Sequence, residues 1–170
     1  MIMKARSYKK PMEWVYKMDA NGLDTVVTTR IELGLKDDEV AEILAIQGSI
    51  EVPPLPEGAN LERTVDMALS MDPDSVSDPA DGDDMEDLEV FYNTFNRNEL
   101  YSAAVGDFLY EADVRKDFAY TFPQPVLVGT DVGMTTHSDV PAAHVVEVRL
   151  YFTRRKANVA ELNQILLKRR

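Results

Sequence analysis

The chain has 170 residues, with no cysteine, one tryptophan and only two histidines. The absence of cysteine excludes disulfide bonds, thiolate metal sites and thiol catalysis. No segment approaches the roughly 18 apolar residues that a membrane-spanning helix requires. The amino end is basic but has no apolar segment after it, so we expect no secretory signal. The available chemistry is therefore that of carboxylates, basic side chains, hydroxyls and two imidazoles.

Basic charge is scarce and unevenly placed. The chain has 18 basic and 30 acidic residues and a net charge of −12. Residues 1–17 carry +4 and residues 149–170 carry +6, which leaves −22 on residues 18–148. Such an asymmetry is typical of ends that contact other molecules, and also of ordinary exposed termini. The candidate basic contacts are Lys4, Arg6, Lys9, Lys10, Arg154, Arg155, Lys156, Lys168, Arg169 and Arg170.

The carboxyl-terminal segment alternates between apolar and polar residues with the period of a half-buried strand. A short helix is predicted after this strand, because Asn158 and Glu161 have the spacing of a capping box. One predicted face of the strand carries His144, Val146, Val148, Leu150 and Phe152. The apolar stripe of the helix is too narrow to form a core, and it supplies candidate subunit contacts. These contacts are Val159, Leu162, Ile165 and Leu166.

Most of the remaining chain also predicts short strands. Asn21-Gly22, between apolar runs at residues 13–18 and 23–33, predicts a hairpin that joins two strands. Residues 61–71 alternate cleanly, and we interpret their methionines as core residues, since methionine fills irregular gaps. Further strands are predicted at residues 88–95, 108–112, 117–122 and 126–134.

Four segments interrupt this pattern. Residues 35–44 predict one turn of helix, leading into a strand with Leu44, Ile46, Ile50 and Val52 on one face and a bulge at Gly48. Residues 96–104 predict a second helical turn. Pro123-Gln124-Pro125 predicts a break in the chain, and residues 135–141 predict a loop.

The number of strands and the scarcity of helix predict an all-β, antiparallel fold. About eight or nine strands at this length predict a jelly-roll β-sandwich or barrel with a short carboxyl-terminal helix. The length predicts a single domain over residues 1–170. Within it we distinguish a basic arm at residues 1–11, an acidic loop at residues 72–87 and a helical tail at residues 157–170.

No residue pattern predicts catalysis or a cofactor. His137-Ser138-Asp139 has the residue types of a hydrolytic triad, but chain neighbours cannot face one another. The histidine of the last strand, His144, is expected in the core. Residues 129–133 are too sparse in glycine for a phosphate loop. The acidic loop lacks the spacing of the twelve-residue calcium site, and Ca²⁺ binding there stays an alternative. We expect no enzyme activity, resident metal, cofactor or small-molecule substrate.

The strand-dense body, the acidic Pro/Gly loop and the final strand with its basic helical tail resemble the small single jelly-roll capsid proteins of tailless icosahedral viruses. The resemblance implies a virion protein that forms homo-oligomers and contacts other virion proteins. It also implies that the basic ends meet nucleic acid or an inner membrane without sequence specificity. Many capsid arms are longer and more basic than residues 1–10 of this chain.

Two other functions stay open on the sequence alone. One is a non-catalytic ligand- or carbohydrate-binding β-sandwich, because jelly rolls host that function too. Sugar binding favours exposed aromatic platforms, whereas the single tryptophan and the scattered tyrosines form no evident cluster in the sequence. The other is a decoration or tail protein of a tailed phage. The expectation we carry forward is a self-assembling structural protein.

Overall fold

A computed structural model describes residues 12–20, 26–52, 61–71, 89–102, 107–111, 114–138 and 144–168. These residues form nine β-strands and one α-helix. In chain order they are β1 (Met12–Ala20), β2 (Val27–Ile31), β3 (Glu39–Glu51), β4 (Leu61–Ser70), β5 (Glu89–Ser102), β6 (Asp107–Glu111), β7 (Arg115–Val128), β8 (Val132–Ser138), β9 (His144–Lys156) and α1 (Val159–Lys168). The described chain is all-β apart from α1, as the sequence predicts. The basic arm and the acidic loop lie outside the described residues.

The strands form two antiparallel sheets. Sheet A has the order β1-β9-β3-β7, and sheet B has the order β2-β8-β4-β5-β6. The pairing is nested around the β4–β5 pair: β3 pairs with β7, β2 with β8, and β1 with β9. Strand β6 then extends sheet B beyond β5. Most neighbours in the sheets are therefore distant in sequence.

The two sheets pack against each other across one apolar core. Strand β9 supplies alternate residues to it, and Val146, Val148, Leu150 and Phe152 are all at most 1% exposed. The methionines Met67, Met71 and Met134 belong to the same core, which confirms the core interpretation of the residue 61–71 segment. His144 is 2% exposed with Nε2 3.2 Å from Thr136 Oγ1, so the predicted core histidine is also confirmed.

The hairpin predicted at Asn21-Gly22 is wrong. Strand β1 pairs with β9, and β2 pairs with β8, so the two strands belong to different sheets. An Asn-Gly pair favours a tight reversal, but it does not determine which strands exchange hydrogen bonds. Here the backbones of β1 and β2 pair with strands that are distant in sequence. Asn21 and Gly22 themselves lie outside the described residues.

The helical turn predicted at residues 35–44 is also wrong. A turn at residues 37–38 leads directly into β3, and the amide of Glu39 donates to the carbonyl oxygen of Lys36 over 2.9 Å. The apolar spacing of this segment fits both helix and strand. Strand pairing with β7 and β9 gives the backbone its hydrogen bonds on both sides, which decides the outcome.

The bulge in β3 lies between Ile43 and Ala45 rather than at Gly48. Ile43 and Ile46 are both fully buried although they are three residues apart. A period of two would send them to opposite faces, and one extra residue restores the phase. The residue that is displaced, Leu44, is only half-buried.

Four further segment boundaries differ from the prediction. Strand β5 continues through the residues expected to turn as helix, because β4 and β6 flank it. Strand β7 spans Pro123 and Pro125, but its pairing with β3 jumps from Thr121 to Val126, so the prolines interrupt the pairing without ending this edge strand. The strand predicted at residues 126–134 is split by a connection at residues 129–131. Strand β8 then occupies residues that were predicted to be a loop.

Candidate functional site

The carboxyl-terminal helix begins at a complete capping box. The side-chain oxygen Oδ1 of Asn158 accepts the Glu161 amide over 2.9 Å, and Glu161 Oε2 accepts the Asn158 amide over 2.9 Å. Two of the amides at the helix start are thereby satisfied. The predicted cap is confirmed, and it fixes the direction in which α1 leaves β9.

A charged cluster ties α1 to the sheet. Arg155, near the end of β9, donates from Nη1 and Nη2 to both oxygens of Glu161, over 2.9 and 2.7 Å, and from Nε to Glu42 Oε1 over 2.6 Å. The guanidinium of Arg155, followed by the Asn158 amide, lowers the pKa of Glu161 to about 2. Hydrogen bonds to Glu161 and Glu42 raise the pKa of Arg155. The arginine therefore links β3, β9 and α1.

The apolar side of α1 meets the β7–β8 connection of its own chain. A Cβ at Gly129 would lie 3.0 Å from Ile165 Cγ2 and 3.1 Å from its Cδ1, so the absence of a side chain at Gly129 makes room for Ile165. Ile165 is 9% exposed. The connection is itself anchored, since Asp131 Oδ1 accepts the Leu33 amide over 3.1 Å.

The four predicted subunit contacts are therefore divided between two environments. Ile165 is buried against its own chain and is not available to a neighbour while α1 holds this position. Val159 is 75% exposed, and Leu162 is half-buried. The side chain of Leu166 lies outside the described residues. Of the four predicted contacts, only Val159 and Leu162 are thus seen as accessible.

The three basic residues at the end of β9 all meet groups of their own chain. Arg154 Nη1 donates to the Gly34 carbonyl oxygen over 2.7 Å. Arg155 is held by two carboxylates, and Lys156 Nζ lies 2.9 Å from Asp38 Oδ2. The Lys156 ammonium lowers the pKa of Asp38. Only Lys156, at 82% exposed, extends well into solvent, so this cluster is not an open basic patch for phosphate.

The other predicted basic contacts cannot be placed. Lys4, Arg6, Lys9, Lys10, Arg169 and Arg170 lie outside the described residues, as does the side chain of Lys168.

Sequence reasoning missed an aromatic cluster at the open side between the two sheets. Phe91 of β5 stacks on Phe118 of β7, with ring centroids 5.5 Å apart, and Tyr120 lies 5.9 Å from Phe91. Phe122 packs edge-on against Tyr120 at 5.0 Å. Tyr120 is 45% exposed although its ring contacts both Phe91 and Phe122. The alternation at 118, 120 and 122 was visible, but nothing in the sequence shows that β7 is an edge strand.

An open hollow of about 400 Å³ lies on the outer face of sheet A, beside the same edge strand. Small residues line its floor, among them Ser49 and Ala119. Its charged rim is paired within the chain: Arg115 Nε lies 2.7 Å from Asp117 Oδ1, and Arg149 Nη2 lies 3.4 Å from Glu147 Oε1. The hydrogen bond that Arg115 donates to Asp117 raises the pKa of Arg115.

The two described residues of the triad-like sequence, His137 and Ser138, do not face each other. His137 and Ser138 are consecutive in β8 and so point to opposite faces. His137 stands opposite Asp66 of β4, and Asp66 Oδ1 accepts the Tyr92 hydroxyl over 2.5 Å. Asp139 lies outside the described residues. Among the described residues, no three histidine or acidic side chains are arranged to hold a metal ion.

Comparison with models of known protein families and with curated proteins gave no match. In the described part of the chain, no helix is long and apolar enough to span a membrane.

Proposed function

We propose that this chain is a structural subunit of a virion shell, built as a jelly roll and assembled through contacts between subunits. It acts without catalysis and without a cofactor, in the virion. Its partners are copies of itself and other virion proteins. This function differs from that of a ligand-binding β-sandwich or a phage decoration protein in where the molecule makes its essential contacts.

The observation that carries the proposal is the order of the strands. If β6 is set aside as an addition to sheet B, the eight remaining strands pair as a long hairpin folded around β4 and β5. Closing that hairpin into two four-stranded sheets is the arrangement of the double-sheet jelly roll, a fold of many capsid subunits. Because lectins and cupins share the fold, the strand order supports the proposal only together with the surfaces.

The surfaces favour contacts between macromolecules over a small-molecule site. The hollow on sheet A is open, and its charged groups are paired with each other. Small-molecule sites are usually enclosed and mainly apolar, with a few convergent polar groups. In contrast, the exposed Tyr120 and Val159 place apolar surface at an edge strand and at the carboxyl-terminal helix. Such positions suit contact with another protein.

The distribution of charge is compatible with a shell. The acidic middle of the chain favours repulsion between particles, and the basic ends favour contact with phosphate. The basic residues of the amino end and Lys168, Arg169 and Arg170 are the ones that we assign to nucleic acid or to an inner membrane. Arg154, Arg155 and Lys156 are better assigned to the subunit's own fold, since all three have partners there.

The direct test is size-exclusion chromatography of the full chain with light scattering, followed by negative-stain imaging of the assembled fraction. We expect species larger than the 19.1 kDa monomer and, with the sister virion proteins, closed particles. The variant Val159→Glu should reduce assembly, because it places a charge on an exposed apolar position of α1. The same change at the half-buried Thr29, on β2 of sheet B, is the control. A protein that stays monomeric at every concentration, alone and with its sister proteins, would contradict the proposal.

A further inference from the structure

The edge of β7 offers backbone groups to a partner strand. Within the described residues, β7 pairs with β3 on one side, and no strand pairs with its other side. In this part of the chain no strand takes the amides and carbonyls on that outer side, and such an edge suits pairing with another chain. Pro123 and Pro125 lack amide hydrogens and restrict regular pairing to residues 115–121.

The two faces of this segment are well defined. Lys116, Phe118 and Tyr120 point towards sheet B, since Lys116 Nζ lies 2.9 Å from Asn93 Oδ1 and both rings contact Phe91. Arg115, Asp117 and Ala119 point to the outer face, where they line the hollow. A partner strand must respect this alternation, because residues that stand opposite each other share a face.

We infer that β7 pairs antiparallel with β7 of a second copy of this chain, about a two-fold axis at Phe118. The inference rests on the proposed assembly function and names one of its surfaces. In this register Phe118 faces its own copy, Lys116 faces Tyr120, Asp117 faces Ala119 and Arg115 faces Thr121. No like charges stand opposite each other, and aromatic side chains meet across the junction.

The neighbouring registers fit less well. An axis at Lys116 or at Asp117 sets two like charges directly opposite each other, which is unfavourable. An axis at Ala119 sets Arg115 opposite Pro123 and so extends the pairing into a residue without an amide hydrogen. Pairing about Phe118 uses the whole proline-free segment and no more.

Lys116 is an inward-pointing charge on this edge, and such a charge is one way in which proteins protect an edge strand. Its ammonium already donates to Asn93 Oδ1 and to the Thr94 carbonyl oxygen within the subunit. Its aliphatic stem is therefore fixed beside the aromatic cluster. Across the junction it would meet the ring of Tyr120, an arrangement that a cation tolerates well. The charge therefore limits which strand can pair with β7 without preventing the pairing.

The absence of cysteine allows a clean crosslinking test. Two single variants of the full chain, Asp117→Cys and Ala119→Cys, are mixed and oxidised with diamide, and the products are separated on a non-reducing gel. The inferred register places these two positions directly opposite each other, within disulfide reach. We expect a crosslinked dimer in the mixture and little in either variant alone. Gln47→Cys, on the same outer face but one strand inwards, is the control partner and should not crosslink.

A second variant measures the strength of the junction. Ala119→Glu places a carboxylate opposite Asp117 of the second copy, twice in each dimer, and should raise the dimer Kd roughly tenfold. No crosslink in the mixture, or efficient crosslinking of Ala119→Cys alone, would overturn the inferred pairing. If the chain still forms larger species in that case, the proposed function stands and another surface serves it. A chain that is monomeric throughout contradicts both.

Discussion

Strands β4 and β7 occupy comparable lengths of chain but differ completely in their surroundings. In β4, Val65, Met67 and Leu69 are fully buried in the core, and Asp66 and Ser70 on the opposite face are also at most 6% exposed. In β7, Val128 alone is buried among its described side chains. The difference comes from position in the sheet, because β4 lies between β5 and β8, whereas among the described strands β7 has a neighbour on one side only.

This contrast separates two tasks within one fold. The centre of sheet B holds the two layers together and has little capacity to bind anything else. The edge of sheet A leaves rings, backbone groups and a polar hollow accessible. We therefore expect substitutions near β4 to affect stability, and substitutions on β7 to affect association.

Leu69→Ala should cost about 3 kcal/mol of unfolding free energy, because it leaves a cavity in the core around a fully buried side chain. Tyr120→Ala on β7 should cost about 1 kcal/mol, since the ring is 45% exposed. Urea unfolding of both variants measures the difference. Equal losses would show that the edge strand contributes to stability as much as the centre.

Gly48→Ala should cost about 2 kcal/mol, because the new Cβ would collide with the Glu147 carbonyl oxygen and lie 2.7 Å from Phe118 Cζ. Gly34→Ala is the matched control. Gly34 has a φ of +62°, and the nearest atom to a new Cβ there, Arg154 Nη1, is 3.5 Å away. Backbone strain alone should therefore cost that variant about 1 kcal/mol. The reverse order, measured by thermal unfolding, would contradict the close approach of β3 and β9.

Tyr92→Phe should cost about 1.5 kcal/mol, because it removes the hydroxyl that donates to the buried carboxylate of Asp66. Asp66→Asn keeps an oxygen acceptor for that hydroxyl and should cost less. Chemical unfolding of the two variants ranks them. If Asp66→Asn is the more damaging, another interaction of Asp66 dominates.

Arg155→Met should cost about 1 kcal/mol, because it breaks the links from β9 to Glu42 and Glu161. The Arg155 side chain is 36% exposed, so solvent screens its ion pairs. The expected loss therefore lies at the upper end of the range for surface ion pairs and does not exceed it. Lys156→Met removes a far more exposed ion pair and should have no measurable effect. Limited proteolysis within α1 offers a second readout. Cleavage there should be faster than in the parent for the Arg155 variant and unchanged for the Lys156 variant.

The contribution of Glu161 should depend on pH. Its folded pKa of about 2 lies below the ordinary value of 4.5, so the carboxylate stabilises α1 fully above about pH 4.5. That stabilisation is lost as the pH falls towards 2. Glu161→Gln keeps a polar cap but removes the charge, so it should be less stable than the parent at pH 7 and equal to it near pH 2. A constant difference across this range, followed by circular dichroism, would contradict the ionic origin.

The local features of the fold were predictable, because they depend on residues close together in sequence. The alternation in residues 61–71 and in β9, the cap at Asn158 and the buried methionines all follow from spacing and side-chain type. Pairing across the chain was not predictable. Arg155 finds Glu42 on a strand from the other half of the sequence, and only the nested pairing brings them together.

The same limit explains what was missed at the candidate sites. The apolar stripe of α1 was visible in the sequence, but the space that the missing side chain of Gly129 leaves was not. Ile165 was therefore assigned to a neighbouring subunit, although it fills that space in its own chain. Pro123 and Pro125 predicted a break in the chain, whereas they interrupt the pairing of a strand that continues, because the edge position of β7 is not written in the sequence. The burial of both faces of β4 depends on neighbours such as Tyr92, which lies opposite Ala68.

Hydrogen exchange at several protein concentrations tests most directly whether the edge of β7 is an assembly surface while the centre of sheet B only maintains the fold. At high dilution, amides in β4 should exchange slowly, and the outward amides of residues 115–121 should exchange fast. As the concentration rises, protection should increase at residues 115–121 and stay constant in β4. Exchange at residues 115–121 that is the same at every concentration, while the protein associates, would contradict the account.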